Sequence, residues 1–161
     1  MAEFILTSRG GVYPWHCDHV GNMDVMWYVG KFDEASWQLL ARWGLTRTRR
    51  AREGRGAVAL DQGIDYRREL HAGDLITIGS RVLEVNEKTL AMTHEMTNDE
   101  TGELAAVTLI GGLYIDAPGE RPVPCRLMCA SAPFSWPEAI STSIPPLVTR
   151  GRPRQPLLAS D

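Results

Sequence analysis

One short loop holds residue types that could act on an electrophilic carbonyl. Asp18 and Gly21, in the order Asp-x-x-Gly, come directly before a segment with helical spacing. A carboxylate beside the free N–H groups of a first helical turn can attack a carbonyl or deprotonate water, and those N–H groups stabilise an oxyanion. Gly21 allows a positive φ or a close approach of the backbone to a ligand. From spacing alone a second interpretation is favoured, in which Asp18 simply caps a turn.

The same loop contains groups that could bind a metal or act as a nucleophile. His16, Cys17, Asp18 and His19 are all residue types that ligate Zn²⁺. Consecutive residues of an extended loop point in different directions, and no second cluster completes a tetrahedron, so we predict no metal site. Cys17 as a nucleophile would need a fixed base, and His19 is too close along the chain to supply one. We expect His94, on the apolar face of its strand, to be a satisfied core residue.

A helix must position this loop. Between Asp24 and Trp43, apolar residues recur at spacings of three and four, which is typical of a helix with one buried stripe. Asn22 is the predicted N-cap, and Gly44 is predicted to follow the end of the helix. We expect a helix of about 20 residues, about 30 Å long, and no other helix in the chain.

The rest of the chain as far as residue 116 has the pattern of strands separated by turns. The first candidate contains a Gly-Gly pair that predicts a bulge or bend. One helix can cover only one face of such a sheet. We therefore predict an α+β fold in which a curved antiparallel sheet of about five strands wraps a long central helix, and in which the uncovered face or edge requires a partner. The candidate strands are residues 4–14, 57–70, 75–85, 89–97 and 104–116.

Composition excludes several classes of protein. The chain has 161 residues, 43% of them apolar, and a net charge of −3, which predicts one domain with a real core and no surface for nucleic acid. No apolar run is long enough for a membrane span, the N-terminus does not resemble an export signal, and three cysteines are too few for a disulfide framework. We therefore expect a cytoplasmic protein. The arginines between Arg47 and Arg55 could contact phosphates, although a solvated loop is the favoured interpretation.

The predicted domain covers residues 1–129. Residues 130–161 are rich in proline and serine and have little periodicity. We interpret them as a tail that is extended or packed on a neighbouring subunit.

Residues 13–43 resemble the signature of the hotdog-fold 4-hydroxybenzoyl-CoA thioesterase family. In that signature a strand is followed by D-x-x-G-[HI]-[MV]-[ND] and then by a helix with an early Tyr and F-x-E-A. The similarity continues in order through IDYRRELHAGDL at 64–75, a Thr-Gly-Glu turn and RPVP at 121–124. Asn22 and Asp24 depart from the frequent His and Asn, and Trp27 replaces an Asn, which leaves the acyl group open. The matching residues are Asp18, Gly21, Met23, Asp24, Tyr28, Phe32, Glu34 and Ala35.

The resemblance implies roles for individual residues. Asp18 matches the catalytic carboxylate of the family, and the backbone N–H of Val25 matches its oxyanion donor. Lys88 and Thr89 fall on a turn where the family presents groups to CoA. Asp33 falls where some members have a carboxylate that lines the acyl pocket. The implied substrate-binding residues are Gly21, Tyr28, Asp33, Lys88 and Thr89.

The predicted function is hydrolysis of an acyl-CoA thioester to the free acid and CoA, by a homodimer or homotetramer with sites at subunit interfaces. The resemblance implies no metal or redox cofactor, since CoA enters as part of the substrate. Asp18 could act as nucleophile or as general base. Two alternatives stay open: a hotdog hydratase or dehydratase, which pairs a His with a carboxylate, and an acyl-CoA binding module without turnover.

Overall fold

Five long antiparallel strands and a short sixth form one sheet in the computed structural model, which describes residues 4–116 and 121–124. The strands are β1 (Ile5–Gly11), β2 (Arg55–Tyr66), β3 (Leu75–Val85), β4 (Thr89–Asn98), β5 (Leu104–Asp116) and β6 (Arg121–Pro122). They lie in the order β1–β3–β4–β5–β2, and β6 pairs with the end of β5. The predicted sheet of about five antiparallel strands is confirmed.

Two strands differ from the pattern prediction. β2 ends at Tyr66 because the next two N–H groups, of Arg67 and Arg68, both donate to the carbonyl of Ala105. The bend in β1 does not lie at the Gly-Gly pair. The register of β1 against β3 shifts between Leu6 and Ser8. Thr7, which lies between them, is buried and donates its hydroxyl to the carbonyl of Ile78 on β3.

The helix that follows the Asp-x-x-Gly loop is α1 (Val25–Arg42), with 18 residues and a length of about 27 Å. Asp24 is its N-cap and accepts the Met26 N–H at 2.9 Å. The prediction of Asn22 as N-cap is wrong because the backbone of Asn22 is used in the preceding turn. Gly44, with φ of +82°, follows the C-cap as predicted.

One face of α1 is buried against the sheet. Its buried residues recur at spacings of three and four, as the apolar stripe predicts. Phe32 belongs to a core cluster with Ile78 and Met96, and Leu39 belongs to a second cluster with Met92. Burial of such side chains contributes about 1.5–3 kcal/mol each. The two clusters together hold α1, and therefore the loop before it, on the sheet.

A network of polar side chains crosses the interface between α1 and the sheet. His94 is fully buried, with Nε2 at 2.9 Å from Ser36 Oγ and Nδ1 at 2.5 Å from Ser80 Oγ. Ser80 Oγ in turn contacts the hydroxyl of Thr7 on β1. Because the Ser36 hydroxyl donates to the carbonyl of Phe32, it accepts from His94 Nε2–H, and Nδ1 then accepts from Ser80. His94 is thus a satisfied core residue, as predicted.

The expectation of a single helix is wrong. Residues 47–53, interpreted from the sequence as part of a solvated loop, form α2 (Arg47–Glu53). Thr46 Oγ1 accepts the Arg49 N–H at 3.3 Å at its start, and Gly54 ends it with φ of +64°. Glu53 lies 3.1 Å from Arg49 and 2.9 Å from Arg52. None of its residues is buried, so α2 is an exposed helix stabilised by local contacts.

The predicted tail over residues 130–161 lies outside the described residues, as do Cys125 and Cys129. In the part of the chain that the structure describes, no helix is both long enough and apolar enough to cross a membrane.

Candidate active site

Asp18 begins a tight turn, the Asp18 turn, over residues 18–22. The Asp18 N–H donates to the carbonyl of Asn22 at 2.8 Å, and the Gly21 N–H donates to the carbonyl of Asp18 at 3.1 Å. Oδ1 of the Asp18 carboxylate accepts the N–H of Val20 at 2.9 Å and that of Asn22 at 3.2 Å. Asp18 therefore caps its own turn through Oδ1. Oδ2 receives no hydrogen bond from the described residues, so one oxygen is available for chemistry.

The Asp18 turn is attached to the core at its second half. Cys17 and Met23 form an antiparallel bridge across the base of the turn, and Asn22 forms another with His71. The Met23 N–H also donates to the carbonyl of Leu70 at 2.7 Å. Met23 and Leu70 are both buried in the core cluster that contains Phe32. The turn is consequently fixed on both sides by backbone hydrogen bonds rather than by side-chain packing alone.

The N-terminus of α1 follows within three residues of the turn. Asp24 takes up two of the N–H groups of the first helical turn, that of Met26 through Oδ1 and that of Trp27 through its carbonyl, both at 2.9 Å. The N–H of Val25, the first helical residue, has no partner within the helix. Its side chain is 60% exposed. A carbonyl oxygen placed there would meet an N–H donor at the positive end of the helix dipole.

An aromatic cluster beside the turn was not predicted from the sequence. His16 is buried, and its ring lies 4.1 Å from that of Trp27 on α1. Tyr13 and Trp15 stack on one another at 4.6 Å, with an angle of 4° between their planes, and both are exposed. The sequence PWH before a helix gives no periodic signal, so only the contact across to α1 identifies the cluster.

Comparison with family models decides the classification of this chain. The model described as the thioesterase-like superfamily matches residues 12–142, which is more than half of the sequence and includes the Asp18 turn and α1. The chain belongs to the thioesterase-like superfamily. Among curated proteins, no significant sequence match is found.

Solved structures of thioesterases have a similar fold. YbaW, a probable thioesterase from Escherichia coli, is 22% identical with a TM-score of 0.65, over 74% of this chain and 90% of that one. A 1,4-dihydroxy-2-naphthoyl-CoA thioesterase from Synechocystis is 17% identical with a TM-score of 0.68, over 78% and 96%. A hypothetical protein from Staphylococcus aureus, in complex with CoA, is 19% identical with a TM-score of 0.70, over 90% and 98%. These similarities confirm the predicted hotdog fold of this superfamily.

Two of the implied substrate-binding residues lie near the Asp18 turn in this thioesterase-like chain. Gly21 is exposed and has φ of +92°, a conformation that L side chains rarely adopt. Tyr28 is 4% exposed, and its ring meets that of Tyr66 edge-on at 5.0 Å. Burial raises the pKa of Tyr28 to about 12, with a smaller contribution from Tyr66. The phenol therefore stays protonated and can only donate or accept as a neutral group.

The other implied binding residues lie away from the turn within one chain. Asp33 is exposed on α1, eight residues and about 12 Å along the axis from Val25. Lys88 and Thr89 are exposed at the β3–β4 turn, whereas the Asp18 turn pairs with His71, shortly before β3 begins at Leu75. β3 has 11 residues and therefore spans roughly 30 Å. One chain does not bring Lys88 and Thr89 to Asp18, and their roles stay predictions.

The metal hypothesis concerned four neighbouring residues, whose side chains have different surroundings. His16 packs on Trp27, Cys17 Sγ lies 3.8 Å from the Tyr13 carbonyl, Asp18 caps its turn, and His19 is exposed. Over residues 4–116 and 121–124, no group of three or more His, Cys, Asp or Glu side chains is arranged to hold a metal ion.

Proposed function

We propose that this member of the thioesterase-like superfamily hydrolyses an acyl-CoA thioester. The observation that carries the proposal is the position of Asp18. Its carboxylate has one oxygen bonded into the turn and the other without a hydrogen bond from residues 4–116 or 121–124, and the turn leads directly to the helix N-terminus with the Val25 N–H. A carboxylate and an oxyanion donor held this close along a fixed backbone are the two groups that thioester hydrolysis requires.

In the proposed mechanism the thioester carbonyl oxygen accepts a hydrogen bond from the Val25 N–H, which stabilises the negative charge that develops there. By one route, Asp18 Oδ2 adds to the carbonyl carbon, the CoA thiolate leaves, and water hydrolyses the resulting anhydride. By the other, Asp18 takes a proton from water, and the hydroxide adds and displaces the thiolate. A thiol with a pKa of about 8.5 leaves without an acid. Neither route uses a metal or redox cofactor.

The two routes can be distinguished by which molecule carries the oxygen atom of water after turnover. After turnover in ¹⁸O-labelled water, label in the Asp18 carboxylate, found by mass spectrometry of the digested protein, identifies the anhydride route. Label in the acid product together with unlabelled Asp18 shows that water adds to the acyl carbon, either of the thioester directly or of the anhydride, and an acyl-Asp18 adduct in acid-quenched protein then distinguishes the anhydride route from the general-base route.

We further propose that the working enzyme is a homodimer or homotetramer. Within one chain, Lys88 and Thr89 lie at the end of the sheet away from Asp18. A second copy packed in the opposite direction would bring its own β3–β4 turn to this site. β2 is an edge strand of the sheet, and its residues Val58 and Leu60 are 39% and 66% exposed. An exposed apolar edge strand is suited to association with a second copy.

Replacement of Leu60 with Arg is expected to reduce the molecular mass measured by sedimentation velocity, because a charge on β2 opposes burial of that edge. Activity should fall with the mass if the site needs two copies. Leu6→Arg is the matched control, since Leu6 is 42% exposed on β1 at the other edge of the sheet. An unchanged mass for Leu60→Arg, or dissociation by Leu6→Arg alone, would contradict assembly through β2.

The proposed activity is tested by CoA release from a panel of aromatic, short-chain and long-chain acyl-CoAs. The protein concentration is chosen so that the CoA from a single turnover exceeds the detection limit of the thiol reagent. We expect stoichiometric CoA and free acid from at least one acyl class. Addition of water to an enoyl-CoA with the thioester intact would instead support a hydratase. Binding of acyl-CoA without any product would support a binding module.

A further inference from the structure

His16 closes the loop that contains Asp18. It ends a short 3₁₀ turn (Pro14–His16), and its carbonyl accepts the N–H of Asp24 at 2.9 Å. This hydrogen bond closes the backbone segment from residue 16 to residue 24, which begins just before Asp18 and ends just before Val25. Since Asp24 also caps α1 through Met26, any shift of His16 would be transmitted to the helix N-terminus.

The His16 ring contacts three aromatic rings, one on α1 and two in the 3₁₀ turn and the residue before it. Trp27 on α1 lies 4.1 Å away, and the rings of Tyr13 and Trp15 meet it edge-on at 5.2 and 5.9 Å. Nδ1 accepts the N–H of Tyr13 at 3.1 Å, while the His16 N–H donates to the Tyr13 carbonyl at 2.8 Å. His16 as a whole residue is only 5% exposed to solvent.

The hydrogen bond to Nδ1 fixes the protonation state. An imidazole nitrogen accepts a hydrogen bond only when it carries no proton, so the ring is neutral with its proton on Nε2. Burial lowers the pKa of His16, the Lys31 ammonium on α1 lowers it further, and Glu34 on α1 opposes this effect. A proton on Nδ1 would face the Tyr13 N–H and break the turn.

We propose that neutral His16 is a positioning residue that holds the Asp18 turn in register with the N-terminus of α1, and that protonation of its Nδ1 releases this arrangement. His16 touches neither carboxylate nor oxyanion donor, and acts through the backbone on either side of them. The kinetic part of this inference rests on the proposed thioesterase activity, whereas the structural part does not.

Two variants separate the hydrogen bond from the packing. His16→Asn places an amide oxygen near the position of Nδ1, so it can accept from Tyr13 and does not titrate. His16→Phe keeps an aromatic ring against Trp27 and has no acceptor. We expect His16→Phe to lower kcat by roughly 10²-fold through misplacement of reacting groups, with KM changed far less, and His16→Asn to restore most of that kcat.

The pH profile provides the second kinetic readout. In the wild type, kcat should fall as the pH decreases below the ordinary histidine value of 6.5. In His16→Asn the midpoint of that fall should move to lower pH. An identical midpoint in both proteins, or a His16→Phe variant with wild-type kcat, would overturn the inference.

Backbone amide NMR tests the structural part without any substrate. The signals of Tyr13, Asp24 and Val25 should shift with the titration of His16 in the wild type and stay constant over the same pH range in His16→Asn. If the amides follow His16 but no thioester is hydrolysed, the positioning role stands and the proposed function fails. If the amides do not follow it, the positioning role fails whatever the activity.

Discussion

Replacement of Asp18 with Asn is expected to lower kcat for thioester hydrolysis by about 10²- to 10⁴-fold. The amide is nearly isosteric, and its oxygen can still accept the N–H groups of Val20 and Asn22 that close the turn. The amide nitrogen at the position of Oδ2 is neither a nucleophile nor a base. The variant should therefore fold as the wild type does and bind acyl-CoA with a similar Kd, which equilibrium dialysis and stopped-flow thiol release would measure.

Asp99→Asn is the matched control for this substitution. It makes the same chemical change at an exposed carboxylate in the β4–β5 turn, which begins with an Asp99 N–H bonded to the Leu75 carbonyl. We expect its kcat to equal that of the wild type. If Asp18→Asn stays within about threefold of the wild type, a smaller loss than a lost general base gives, the chemistry does not depend on Asp18.

His94 is expected to make the free energy of unfolding depend strongly on pH. Burial lowers the pKa of His94 to about 4, whereas an unfolded chain has a value near 6.5. Between these values the unfolded state binds more protons than the folded state, so stability is complete above pH 6.5 and is lost as the pH falls towards 4. The total loss from this one group is about 3 kcal/mol.

The comparison protein for this prediction is His94→Gln, which keeps a polar side chain between Ser36 and Ser80 but does not titrate. It should be less stable than the wild type at pH 7.5, because the hydroxyl of Ser36, of Ser80 or of both loses its well-aligned hydrogen bond to the ring. As the pH decreases to 4, that difference should narrow by about 3 kcal/mol, since only the wild type loses a histidine contribution. Urea titrations at several pH values measure it, and a constant difference would show that His94 does not titrate as described.

Local sequence patterns predicted most of the regular structure. β3 and β5 have the predicted bounds, because alternating and apolar runs between clear turns define them. The N-cap of α1 was misplaced because Asn22 has a suitable side chain, yet its backbone pairs with Asp18 and His71 in contacts that no local pattern reveals. α2 was missed because an exposed helix has no apolar stripe. Thr46 and Gly54 at its ends were the available signal.

The candidate site could be predicted only in part. The order Asp-x-x-Gly before a helix made Asp18 a candidate, although spacing alone favoured a turn cap. The roles of Asp18 and of the Val25 N–H were implied by the resemblance to the thioesterase family, and both stay predictions. The role of His16 depends on contacts to Trp27 and Asp24, which only the fold brings together. The distance of Lys88 from Asp18 likewise follows from the direction of β3, and this separation supports the site between two copies that the sequence resemblance already implied.

The central claim is that Asp18 carries out hydrolysis of a thioester bond, and mass spectrometry of the reaction mixture tests it most directly. Wild type and Asp18→Asn, each shown to be folded and of equal oligomeric state, would be incubated with the same panel of acyl-CoAs. We expect free acid and CoA in equal amounts from the wild type, and intact acyl-CoA bound to Asp18→Asn. Equal product from both proteins, or intact thioesters with the wild type across the whole panel, would contradict it.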